Sequence, residues 1–158
     1  MNVCREHVAK SIWVNGSVDF EPNKTKSEML KSSTSMEYKE DGARFLNRFA
    51  VRSIQYDAVN QKMLNTEHGR NEFRTVFVDY DDSPRRGARA VVTRGASPRK
   101  LRKYLEKTIQ KSREEGNGYV FLNAWNEWGE GNYLEPDQKY GHTCLEMVKA
   151  CMGSRKYH

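Results

Sequence analysis

The chemistry in this chain is concentrated in the stretch GYVFLNAWNEWGEGNYLEP, residues 118–136, where three glutamates and two tryptophans follow an apolar run. Glu127 and Glu130 stand three residues apart, close enough in sequence to share a pocket. Paired carboxylates suit glycoside chemistry: one moves a proton at the glycosidic oxygen and the other assists at the sugar ring. Trp125 and Trp128 offer flat apolar faces for the C–H face of a pyranose, and Asn126 can both donate to and accept from sugar hydroxyls. Gly129 and Gly131 supply the backbone freedom of a tight loop. A plainer alternative stands beside this one. Glutamates in loops are commonly solvated, and tryptophans at strand ends commonly belong to a core; spacing does not choose between the two. No metal is expected, because no histidine or aspartate arrangement nearby completes a ligand set with Glu127, Glu130 and Glu135.

Such residues need elements to hold them. The segment GYVFLNA has the continuous apolar centre of a strand buried on both faces, and so does Val76–Val78 upstream. The latter runs into YDDSPRRG, a loop signal. Between the two strands lies the clearest helix. Ser97 can cap it with Pro98 at its first position, and Leu101, Tyr104, Leu105, Thr108 and Ile109 recur at helical spacing until Gly116. A helix is also expected over 53–64, and a final one carries Tyr140, Cys144, Met147, Val148 and Cys151 on one face. Two buried strands joined by a helical crossover form a βαβ unit in a parallel sheet. Ligands of such sheets sit beyond the carboxyl ends of the strands, where the Tyr80–Arg86 and Trp125–Pro136 loops both fall.

Composition bounds the rest. The 158 residues carry a net charge of +6, with eight basic residues against two acidic ones between Asp81 and Lys103. Nothing in the chain reads RNA or DNA, and the basic residues are not interleaved with exposed aromatics, so a nucleic-acid partner is not expected. No apolar run reaches the roughly 18 residues of a membrane span, and no leader-like segment opens the sequence, so the expected location is cytoplasmic. The three cysteines, Cys4, Cys144 and Cys151, form no CxxC pair and read as small buried hydrophobes.

The segment VFLNAWNEWGEGNYLEPDQKYGHTCLE strongly resembles the C-terminal signature of the WbsX family, identified as glycosyltransferases of polysaccharide biosynthesis and similar to glycoside hydrolase family 99, the endo-α-mannosidases. YDDSPRRG resembles the family's Trp-Asp-Asn-(Thr/Ser)-Pro-Arg segment, with Tyr80 for tryptophan and Asp82 for asparagine. The resemblance spans about residues 56–148 and implies a (β/α)₈ barrel with its site at the C-terminal face. It implies that Glu127 helps the substrate's own 2-hydroxyl attack the anomeric carbon and that Glu130 is the general acid/base. Trp125, Asn126, Trp128 and Tyr133 would line the sugar subsite, with Asp81, Asp82 and Arg85 reaching in from the neighbouring loop. It implies no cofactor.

A closed barrel takes roughly 250 residues, so the expected fold is α/β, the C-terminal portion of a (β/α)₈ barrel, incomplete and open at an edge. Residues 1–50 carry no readable motif, 51–152 hold the C-terminal βα units, and 153–158 form a tail. The open edge makes a missing N-terminal barrel half, or self-association, an expected partner. The substrate is a glycan or a nucleotide sugar. For the latter, Arg94, Arg99 and Lys100 around the start of the helix at Ser97 are candidate phosphate ligands. Three functions remain open: a WbsX-type transferase of lipopolysaccharide or exopolysaccharide synthesis, an endo-acting hydrolase, and a truncated glycan-binding remnant without turnover.

Overall fold

A computed structural model describes residues 16–32 and 51–153. The first of these segments, from the stretch without a readable motif, forms β1 (Ser17–Val18) and α1 (Asn23–Ser32). β2 (Arg52–Gln55) runs directly into α2 (Tyr56–Asn65), so the helix expected over 53–64 begins three residues later and its first residues are a strand. The reason is pairing. Ile54 is buried while Arg52 and Gln55 are exposed, and the whole segment lies parallel to β4 (Val91–Arg94) in the register Arg52↔Val91 to Gln55↔Arg94.

β3 (Glu72–Phe77) is the central strand of a second parallel sheet of order β1-β3-β5, with β5 formed by Val120–Asn123. Both faces of β3 are covered, as its unbroken apolar run predicts. Phe77 joins Ile54, Tyr56, Val59, Met63, Tyr80, Val91 and Tyr104 in one core cluster. Val76 joins Leu101, Leu105 and Cys151 in another, with Cys144 and Val148 packed beside them. The Cys144 and Cys151 face therefore belongs to the core, whereas Cys4 lies outside the described residues.

β5 departs from expectation. Val120 and Leu122 pack against the second cluster, but Phe121 and Tyr119 are 46% and 70% exposed, so only one face of this strand is buried. Phe73 of β3 contacts both rings, at 5.8 Å and 6.1 Å between centroids. The alternation of side chains along a strand puts these aromatics on the face that also carries the buried Thr75 and Phe77, so that face is open at its Tyr119–Phe121 end and covered beyond it. The crossover between β3 and β5 is α4 (Pro98–Glu114). Ser97 caps it by accepting from the Lys100 backbone N–H at 3.3 Å, Pro98 follows, and Gly116 beyond its end has φ +76°. α5 (Thr143–Gly153) packs on α4. The result is α/β, parallel strands alternating with helices as in part of a (β/α)₈ barrel, and the sheets of the described residues do not close. No described helix is long and apolar enough to cross a membrane.

Candidate functional site

The glutamate loop is built as a small closed unit. After β5 the backbone carbonyl of Trp125 accepts from the N–H groups of Leu134 and Glu135 at 2.9 and 3.1 Å, which closes the loop at its base. Within it, β6 (Asn126–Glu127) pairs antiparallel with β7 (Asn132–Tyr133), and a 3₁₀ turn over Trp128–Glu130 connects them. Gly131 ends that turn in the left-handed region, at φ +58°. A Cβ there would lie 3.1 Å from the Asp81 Cβ and 3.2 Å from the Asp81 nitrogen, so glycine allows this backbone to close on its neighbour.

That neighbour is the YDDSPRRG loop, and the two meet as their positions past the strand ends require. The Asp81 N–H donates to the Glu130 carbonyl at 2.7 Å, and Arg85 Nη1 donates to Glu130 Oε1 at 2.8 Å. Arg85 lies on α3 (Ser83–Arg86), which begins where the Asp81 carboxylate accepts from the Ser83 N–H at 2.8 Å. Asn132, fully buried, accepts from the Val78 N–H at 3.0 Å and so ties the loop back to the end of β3; its Nδ2 has no hydrogen-bond partner.

Within the loop the aromatic residues are braced. Trp128 stacks on Tyr133, centroids 3.7 Å apart, and its Nε1 donates to Glu135 at 2.6 Å. Tyr133 in turn donates to Asp137 at 3.2 Å. Trp128 thus keeps one face against protein, while 47% of the residue stays exposed, and Trp125 is 53% exposed. Glu130 is largely covered, its side chain 17% accessible beside Arg85. Asn126 and Glu127 are exposed, and no hydrogen bond or ion pair holds the Glu127 side chain among the described residues.

Three of the residues expected here lie apart from the loop. Lys100 pairs with Asp57 on α2, and that ammonium, the first of several causes, holds the Asp57 carboxyl below its usual range. Arg94 and Arg99 are exposed, and no ion pair or hydrogen bond joins either side chain to the glutamates among the described residues. Asp82 is buried beneath the loop rather than open to solvent: it accepts from the Val91 N–H at 2.6 Å and from the Tyr80 hydroxyl at 3.2 Å, and forms an ion pair with Arg86, 3.0 Å from its Nε. The two departures from the family segment, Tyr80 and Asp82, are therefore bonded to each other. Two donors and a guanidinium converge on Asp82, and a carboxylate, which is charged and only accepts, suits that position better than an amide.

Two further polar residues were not singled out by the sequence. Asp79 lies between Thr93 and a cleft bordered by Ser97, Tyr133, Asp137 and Lys139. Burial raises its pKa against the opposing effect of bonds from Thr93 and the Tyr80 N–H. Its position immediately after the apolar run of β3 was the available signal. Lys26 had none. It reaches from α1 to place its ammonium 3.3 Å from the Tyr80 ring centroid.

Comparison with known proteins follows the same lines. The family model described as Glycosyltransferase WbsX matches residues 2–148. The uncharacterized protein WxcX of Xanthomonas campestris pv. campestris, in two strains, is 37% identical over 76 residues, 46% of this chain and 11% of the relative. The match thus spans about a tenth of the length of these relatives. No solved structure matches the chain.

Proposed function

The chain belongs to the WbsX glycosyltransferase family, and from that premise we propose that the Glu127/Glu130 loop is the sugar-binding and reacting end of a transferase of cell-surface polysaccharide synthesis. Family membership supports a carbohydrate-active protein. The observation that carries the finer reading is the Arg85–Glu130 ion pair, because it joins the two loops that the family signature comprises. Arg85 engages Oε1 and leaves Oε2 for a sugar oxygen. In this reading Glu130 exchanges the proton at the glycosidic oxygen, and Glu127, without a side-chain partner among the described residues, assists at the ring. The exposed faces of Trp125 and Trp128 carry the pyranose, with Asn126 at its hydroxyls. The activity is soluble and cytoplasmic in this account, and its barrel resembles that of glycoside hydrolase family 99.

A second reading has its own support. The exposed Tyr119 and Phe121 of β5 and its approach leave one end of the sheet open, which favours a glycan-binding unit that turns over nothing by itself. Calorimetric titration of the chain with mannose-type oligosaccharides and nucleotide sugars separates the possibilities, beside Glu127→Gln and Glu130→Gln. Saturable binding altered by either change, together with turnover, supports the transferase. Binding without turnover supports the second reading, and the absence of binding by a folded chain contradicts both.

A further inference from the structure

Lys26, Arg52 and Arg86 line one cleft of about 330 Å³, together with Lys31, Asn23 and Asp82. The cations come from separate elements: α1, the start of β2, and α3. Asp82 is the one carboxylate among these residues, and its oxygens are already engaged by Arg86, the Val91 N–H and the Tyr80 hydroxyl. Lys26 is 6% exposed, with its ammonium donating to Asn23 at 2.8 Å above the Tyr80 ring. Burial, reinforced by the charges of Arg86 and Arg52, lowers its pKa to about 8 despite the attraction of Asp82 and Glu130.

Lys26, Arg52 and Arg86 thus meet from three elements at a cavity whose described lining holds one carboxylate, and an anion there would relieve their mutual repulsion around the buried Lys26. Guanidinium forks beside a point-charge ammonium match the several oxygens of a phosphoryl group. We propose that this cleft binds a phosphate-type anion, the phosphate or diphosphate of the sugar substrate, through Lys26, Arg52 and Arg86. Arg86 adjoins Arg85, which holds Glu130, so the bound anion lies beside the carboxylate loop. The cleft is distinct from the start of α4, where Lys100 is engaged by Asp57. Assigning the anion to a sugar substrate rests on the carbohydrate reading above, whereas affinity for the anion does not.

The test is titration of the full chain at low ionic strength, first with inorganic pyrophosphate and then with a nucleoside-diphosphate sugar. Pyrophosphate binding should saturate. Lys26→Met and Arg52→Gln should each weaken it about ten-fold or more, with unchanged circular dichroism. Arg113→Gln, which removes the same charge from the last turn of α4, should change it less than about two-fold. Tighter binding of the nucleoside-diphosphate sugar through the same residues assigns the anion to a substrate. If only pyrophosphate binds, and neither the nucleoside-diphosphate sugar nor any neutral glycan does, the cleft stands and the carbohydrate reading falls. Equal weakening by Arg113→Gln, or weakening by Arg99→Gln in place of Arg52→Gln, overturns the proposal, as does a chain that pyrophosphate never saturates.

Discussion

Lys26 carries a desolvation cost in its folded position. Its ammonium is more acidic than an ordinary lysine, about 8 against 10.5, because burial outweighs its neighbours' attraction. Between those two values the unfolded chain holds a proton that the folded chain has released, so stability rises with pH across that window. Below about 8 the cost is fully present. Lys26→Met should therefore stabilise the chain at pH 7 by about 1 kcal/mol, a figure reduced for solvent screening, and the gap should close by pH 10.5. Thermal unfolding followed at pH 7 and pH 10 measures it. A variant less stable than the parent at pH 7 would show that the Asn23 and Tyr80 contacts outweigh desolvation. Residues of this kind differ sharply in legibility. Glu127, Glu130, Asp81 and Arg85 could be read because each stands in a motif just past a strand end. Lys26 stands in a polar segment without periodicity, and its partner Tyr80 is remote in sequence, so nothing local marked it. The direction in which Asp82 faces was equally hidden, since it depends on how the YDDSPRRG loop folds back to bring Tyr80, Arg86 and the Val91 N–H around it.

Among the elements, α4 was legible from end to end. Its cap, its proline and its apolar stripe are local signals, and the Ser97 cap and the burial of Leu101, Tyr104, Leu105 and Thr108 follow them. β2 and β4 were not. Each has four residues, too few to set a period, and they pair with one another across the intervening helix and strand. The exposure of β5 was missed for a related reason: an apolar run states what a strand could bury, not whether a second layer is there. The β6–β7 hairpin is tied to the end of β3 by one buried side chain, Asn132, whose acceptor holds the Val78 N–H. Asn132→Ala should leave that N–H unpaired and cost about 1–3 kcal/mol, visible as a lower denaturation midpoint. It should also loosen the glutamate loop, read as faster hydrogen exchange at Glu130 and Gly131. A loss of stability with unchanged exchange in the loop would mean that the hairpin stands without this tie.

For the molecule as a whole, parallel strands with helical crossovers followed from two apolar runs and the helix between them, and so did the end of the sheet at which the loops meet. What the order of elements could not convey was the excursion between β3 and α4. There α3, a 3₁₀ turn and β4 double back so that Asp81 bridges Val92 in the antiparallel sense. This excursion carries Arg85 to Glu130 and Arg86 to the basic cleft, so loop chemistry and anion chemistry share one short segment. The chain contains three tryptophans, two of them in the glutamate loop, which makes the central claim directly observable. The decisive measurement is a titration of the ¹⁵N-labelled chain with a mannose-type oligosaccharide, following the indole N–H resonances of Trp125 and Trp128, assigned by single substitution to phenylalanine. Both should shift along one saturable curve, and the shifts should weaken in Glu130→Gln. Saturation that moves neither indole, or indoles that stay fixed at every glycan concentration, would contradict the assignment of this loop as the sugar site.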